Sequence, residues 1–146
     1  MSDTLSPVTP ERIVKIFSER GIELEWNEDT RDAFIVLNGY YARFALPNEV
    51  FFLMTFAYPN IPAGLDETQE FTDFLRFRNA NGTFGTVYRQ QTDEGVDLVS
   101  DQVFLIKHGL TDDQLSAVFA GGLSASIEHM DAFCEKFELQ PPVPTQ

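Results

Sequence analysis

"AFIVLNGYYARF", residues 33–44, sets two runs of β-branched and aromatic residues on either side of Asn38-Gly39. Asn-Gly tolerates the positive φ angles of a type I′ turn, so the stretch predicts a two-residue β-hairpin. Upstream, "IELEW" (22–26) alternates apolar with acidic residues and predicts a further strand. Downstream, the turn "LPNE" (46–49) leads into "VFFLMTFAY" (50–58), whose nearly continuous apolarity predicts a strand covered on both faces. Residues 22–58 therefore read as a four-stranded antiparallel meander.

Helix signals bracket that meander. In "TPERIVKIFSERG" (9–21) Thr9 is a candidate N-cap, Pro10 occupies the first helical position, Gly21 follows the end, and Ile13, Ile16 and Phe17 share one face. After "NIPAGLDE" (60–67), Asp66 with Gln69 three residues on predicts the cap of a second helix with a stripe of Phe71, Phe74 and Leu75, ended by "NANG" (79–82). "FGTVYRQQ" (84–91) and "GVDLVSDQVFLIK" (95–107) predict a second hairpin around "TDEG" (92–95). Thr111 and Gln114 form a capping-box pattern for a long last helix that runs to about Phe137, with Asp112 and Asp113 near the positive end of its dipole.

The expected fold is α+β: an antiparallel sheet of five to six strands flanked by three helices, in the order α-β-β-β-β-α-β-β-α. A chain of 146 residues, 43% hydrophobic, is one domain with a real core, with flexible ends expected at about 1–8 and 139–146. The Pro-rich "ELQPPVPTQ" (138–146) samples polyproline II or docks in an aromatic groove if it orders at all.

Composition excludes several functions. Ten Lys+Arg against 23 Asp+Glu give a formal charge of -13, which repels nucleic-acid phosphates and anionic membranes. No run of 18 apolar residues occurs, and "MSDTLSPVTPER" lacks the pattern of a secretory leader, so a cytoplasmic chain is expected. One cysteine and two histidines disfavour disulfide, metal and redox chemistry, and no cofactor is expected.

Chemistry is best sought in "SIEHMDAFCEKF" (126–137), which holds His129 and the sole cysteine, Cys134. Leu115, Phe119, Leu123, Ile127, Met130, Cys134 and Phe137 form one apolar helical stripe, whereas His129 points about 140° away from Cys134. Cys134 thus reads as core, with its pKa raised by burial, and His129 as a histidine on a flank or interface. Its own helix supplies no second ligand at helical spacing. His108, alone in "IKHGLT" (106–111), supports no catalytic role. Asp97 and Asp101 share one strand face about four 3.3 Å rises apart, a spacing more often found on solvated strands than in catalytic pairs. No catalytic residue is expected. Gly121 and Gly122 cost roughly 1 kcal/mol each in a helix interior. With Ala117 and Ala125 they form a small-residue strip where a strand, a helix or a dimer mate approaches closely, or where the helix kinks.

The segment from Phe74, "FLRFRNANGTFGTVYRQQTDEGVDLVSDQVFLIKHGLTDDQLSAVFAGGLSASIEHMDAFCEKF", resembles the YbjN family, bacterial proteins named for a proposed role in sensory transduction regulation. The shared features are an Asn-bearing end to the middle helix, a strand, an Asp/Gly turn, a long strand and a "GLT-x-x-QL" helix start. "IVKIFSERGIELEW" (13–26) resembles the family's opening helix, Gly and strand. The resemblance implies the fold of type III secretion chaperones, a homodimer, and a dimer contact made by Phe71, Phe74, Leu75 and Tyr88. It implies a non-enzymatic interaction, regulatory or chaperone-like module, and an acidic dimer suited to a basic or amphipathic polypeptide. The alternative is a small-ligand sensor with an aromatic-lined pocket on the sheet beneath the helices.

Overall fold

The computed structural model describes residues 4–82 and 85–144. Its elements are α1 (Pro10–Glu19), β1 (Asp32–Leu37), β2 (Tyr40–Ala45), β3 (Phe51–Tyr58), a 3-10 turn (Leu65–Glu67), α2 (Gln69–Asn81), β4 (Thr86–Gln91), β5 (Val96–Leu105) and α3 (Asp112–Phe137). The strands form one antiparallel sheet in the order β1-β2-β3-β5-β4, so the second hairpin extends the first meander by pairing β5 with β3. The α+β architecture with three helices and a five-stranded sheet is the expected one.

The Asn38-Gly39 hairpin forms with both residues at positive φ, 54° and 87°. Gly39 is required twice over, because a Cβ there would lie 2.6 Å from Pro141 Cβ and 2.7 Å from the Val143 carbonyl oxygen. The C-terminal segment crosses this turn, where the Val143 amide donates to the Gly39 carbonyl at 3.0 Å. The Tyr58 hydroxyl donates to the Gln140 carbonyl at 2.6 Å. At the other end Ser6 and Leu110 exchange backbone hydrogen bonds, and Arg12 donates to both their carbonyls. Both ends, expected to be flexible, thus make specific contacts; residues 1–3 and 145–146 lie outside the described chain.

Two expectations need correction. Residues 22–26 are not a strand: Leu24 is buried and Ile22 and Trp26 pack on the core, but the only ladder contact here is the Asn27–Asp32 bridge. The alternation is real, and its apolar side plugs the core without a neighbouring strand. The meander has three strands, and the order is α-β-β-β-α-β-β-α. The second helix is capped by Thr68, whose Oγ1 accepts from the Phe71 amide at 3.2 Å, and not by Asp66. Asp66 lies in the preceding 3-10 turn, where its carboxylate pairs with Arg89 of β4 at 3.4 Å. The caps of α1 (Thr9) and α3 (the Thr111–Gln114 capping box) are as expected. Phe84, expected in the first strand of the second hairpin, lies outside the described residues.

Strand alternation splits the sheet into two faces. One carries Tyr40, Phe44, Phe52, Met54, Phe56, Leu98 and Gln102 under the helices. There the Phe17, Phe44, Phe52 and Phe119 rings stand 4.8–6.5 Å apart. Phe71, Phe74, Phe133 and Phe137 make a second ring cluster between α2 and α3, with centroids 5.3–6.3 Å apart. α2 also guards the β4 edge. The Asn79 side-chain amide donates to the Val87 carbonyl at 2.9 Å and accepts from its N–H at 2.8 Å, taking the place of a neighbouring strand.

Candidate interaction face

Among the described residues, no helix lies on the other face of the sheet. Register places Phe34 and Val36 of β1, Tyr41 and Arg43 of β2, Phe51, Leu53 and Thr55 of β3, Val99, Asp101, Val103 and Leu105 of β5, and Tyr88 of β4 on this side. Phe34 is 69% exposed, Leu105 64% and Val103 59%, and Val36, Tyr41 and Phe51 are exposed as well. They form two groups at opposite corners of the face, Phe34, Val36 and Tyr41 on β1 and β2 and Phe51, Val103 and Leu105 on β3 and β5, and a domain seldom presents so many large apolar side chains on one sheet face unless something covers them. Strand β3, expected to be covered on both faces, is covered on one; Phe51 and its alternate neighbours reach the open side.

A line of polar side chains crosses the middle of this face. Arg43 Nε donates to Asp32 Oδ2 at 2.7 Å, and the guanidinium lies 5.9 Å from the centre of the Phe34 ring. Burial pushes the Asp32 carboxyl up. Hydrogen bonds from Thr30 and Arg43, with the Arg43 charge, outweigh that and hold it below its ordinary value. On β5, Asp101 Oδ2 accepts from the Tyr88 hydroxyl at 2.6 Å. Burial, then the hydrogen bond and charge of Asp101, push Tyr88 up to about 12. Between them lies a shallow depression of about 280 Å³ lined by Arg43, Leu53, Thr55, Tyr88, Asp101 and Val103.

The residues singled out in sequence fall in three places. Of the four implied dimer-contact residues, Phe71 and Phe74 are buried against Phe133 and Phe137 within the chain, and Leu75 is half-buried. Tyr88 alone faces the open side. The small-residue strip divides: Ala117 is exposed, Gly121 and Ala125 are half-buried, and Gly122 lies on the sheet. A Cβ on Gly122 would come within 2.9 Å of Met54 and 3.2 Å of Phe104, and its carbonyl accepts from Gln102 Nε2 at 2.7 Å. A neighbouring strand is therefore what approaches, and α3 runs unbroken through the glycine pair.

Cys134 is core, as expected. Burial raises its pKa, against a lowering hydrogen bond from Tyr40 and with a further rise from Asp131. The Tyr40 hydroxyl donates to Asp131 Oδ1 at 2.6 Å and lies 3.5 Å from the Cys134 sulfur. His129 is a correction: it is 1% exposed, and Nδ1 accepts from Arg78 Nε at 3.0 Å. The partner comes from α2, beyond the reach of any helical-spacing argument within α3. Asp97 and Asp101 make separate structural bonds, Asp97 Oδ1 accepting from the Asn60 amide at 2.9 Å and Asp101 from Tyr88. Among the described residues no three His, Cys, Asp or Glu side chains cluster as metal ligands, and no helix is long and apolar enough to cross a membrane. The place proposed for a sensor pocket, beneath the helices, is filled by the packed phenylalanines.

No protein-family profile matches the chain, and no curated protein matches it in sequence. Its fold is nevertheless a known one. The crystal structure of YbjN from E. coli, described there as a candidate transcription regulator, superposes with a TM-score of 0.68 at 15% identity, covering 91% of this chain and 97% of YbjN. An uncharacterised protein from Methanothermobacter thermautotrophicus gives 0.60 at 17% identity, covering 89% of this chain and 99% of that one. The HopA1–SchA chaperone–effector complex contributes a chain with a TM-score of 0.51 at 9% identity, covering 86% of this chain and 99% of that one. The chain thus has the YbjN-like, chaperone-like fold that the "GLT-x-x-QL" resemblance implied.

Proposed function

We propose that the protein is a non-enzymatic protein-interaction module, chaperone-like in its mode of action, whose working surface is the open face of the sheet. The observation that carries this reading is the concentration of exposed Phe34, Val36, Tyr41, Phe51, Val103 and Leu105 on that one face. Leaving such a patch in water forgoes roughly 25 cal/mol for every Å² of apolar surface that a partner would cover. The fold shared with one member of a chaperone–effector complex supports the same reading. A bacterial cytoplasmic setting and a homodimeric state belong to this proposal too.

A basic or amphipathic polypeptide has a separate place on the helical side. The groove between α2 and α3, about 430 Å³, has Phe74, Phe77 and Ala132 in its walls and Glu70, Asp73, Arg78 and Lys136 around them, and the acidic charge lies in the adjoining hollow, where Glu128, Asp131 and Glu135 outnumber Arg78. Phe77 is 61% exposed there. An amphipathic helix with cationic flanks is complementary to that chemistry.

The test is native mass spectrometry of the untagged full chain taken gently from its host's cytosol, repeated with Phe34→Ser/Leu105→Ser. The expected result is association with polypeptide, its own or another's, that the double variant loses while staying folded. A chain carrying only a discrete small molecule, or a variant that associates as well as the original, would overturn the reading.

A further inference from the structure

The last turn of α2 is fastened to two neighbours. Asn79 holds Val87 of β4, and the residue before it, Arg78, reaches α3. Arg78 Nε donates to His129 Nδ1 at 3.0 Å, and its NH2 nitrogen donates to Glu128 Oε1 at 3.3 Å. Gly82 closes the helix against the imidazole, where a Cβ would lie 3.0 Å from His129 Cε1. Arg78 also lines both the α2–α3 groove and the acidic hollow beside it. From this we infer that Arg78 and His129 form an acid-sensitive latch, closed while the imidazole is neutral, that holds the end of α2 and sets the charge of the groove. The inference rests on the reading of the α2–α3 groove as a polypeptide site and supplies its regulation.

A guanidinium has N–H donors and no acceptor, so the arginine fixes the state of its partner: Nδ1 carries no proton, and the neutral ring keeps its proton on Nε2. Protonating Nδ1 removes the acceptor and sets two cations within hydrogen-bond distance of each other. His129 is 1% exposed, so little solvent shields that repulsion. Among the described residues, α2 supplies Arg78 as the charged group at the ring and α3 supplies Glu128, bonded to the same guanidinium. The Glu128 side chain is 71% exposed and too well solvated to offset a second cation. β4 and β5 bring Val87, Ser100 and Gln102 to this part of the covered face, and none of them titrates. The closed latch therefore binds no proton at His129, whereas a released imidazole takes one up near the ordinary histidine value of about 6.5. Closure is fully favoured above that pH and weakens about tenfold for each unit below it. Release has two consequences. The turn that carries Asn79 loses its bond to α3, which loosens the clasp on Val87. Arg78 turns from the imidazolium toward Glu128, Asp131 and Glu135, the carboxylates that a cationic helix would use, so acid discharges such a partner.

The test uses the full chain. NMR of the imidazole nitrogens is expected to show the His129 proton on Nε2 at about pH 7.5. Hydrogen exchange, corrected for its intrinsic pH dependence, is expected to show protection of the Val87 amide falling about tenfold from about pH 7.5 to about pH 5.5. His129→Asn keeps an acceptor where Nδ1 stood and does not titrate, so its Val87 protection is expected to stay level; His108 is present in both chains and cancels. A fluorescent amphipathic helix of Leu, Ala and Lys is expected to bind the wild type about fivefold or more weakly at the lower pH, and to bind His129→Asn equally at both. A proton on Nδ1 at neutral pH, or an equal loss of protection in His129→Asn, overturns the inference. If that variant does not fold, the wild type decides alone, since Val87 protection that ignores pH also overturns it. A probe held equally by the wild type at both pH values overturns the control of the groove. A probe bound at neither pH, with Val87 still released by acid, overturns the groove reading and leaves the latch standing.

Discussion

The two faces of one sheet differ less in composition than in what lies on them. The covered face presents Phe44, Phe52 and Phe56 to Phe17 and Phe119, and every ring there meets other rings within 6.5 Å. The open face presents Phe34, Tyr41, Phe51, Val103 and Leu105 to solvent. Apolar residues on both sides of a strand therefore do not tell which side the chain itself covers. They do tell that both sides are meant to be covered, since a face left to water all its life has no use for them.

That contrast can be broken from either side. The largest effect belongs to the covered face: Phe119→Ala is expected to cost about 3–5 kcal/mol in urea unfolding, the transfer term plus the cavity left among Phe17, Phe44 and Phe52. A loss below about 1 kcal/mol would show that the ring cluster is loosely packed. Next comes His129→Ala, expected to cost about 1–3 kcal/mol because the Arg78 donor loses its acceptor at a buried site. A negligible loss would return His129 to the role of a flank residue.

The polar line sharpens the contrast through pH. The Asp32 carboxyl is held below its unfolded value, so it contributes stability that is fully present above pH 4 and lost as pH falls through the lowered folded value. Asp32→Asn is accordingly expected to flatten the acid limb of the stability profile below about pH 4, measured by thermal unfolding across pH. An unchanged limb would mean that the Arg43 pair is solvent-screened. The smallest effect belongs to the open face: Val103→Ser is expected to change the stability of the isolated chain by less than about 0.5 kcal/mol while weakening its association. A large loss of monomer stability would mean that Val103 is part of the fold's own core.

Local signals carried most of the fold into the sequence. Asn38-Gly39, Thr9-Pro10 and Thr111 with Gln114 each fix backbone geometry within four residues, and each forms as read. What the sequence left hidden depends on distant partners. Asp66 has the chemistry of a cap, but Arg89 on β4 claims its carboxylate and Thr68 caps instead. His129 finds Arg78, 51 positions away, and residues 22–26 alternate like a strand with no strand beside them. The interaction face was half legible. The run 50–58 announced apolar residues on both sides, whereas Phe34, Val103 and Leu105 are seen to share one face only when register orders β1, β2, β3 and β5. The dimer contact implied by resemblance pointed to α2, whose Phe71 and Phe74 the chain keeps for itself, with Tyr88 as the one residue common to that expectation and to the open face.

The Asn79 side chain, clasping Val87 by both its polar atoms, also governs how large an assembly can become. Endless fibril growth by strand addition needs a sheet with two live margins, one to receive and one to be received. Here the β4 margin is already occupied at Val87 by an amide from the same molecule. Replacing Asn79 with Leu would reopen that position, an effect to be read as fibre formation on storage, by light scattering or dye binding, in comparison with the unsubstituted chain.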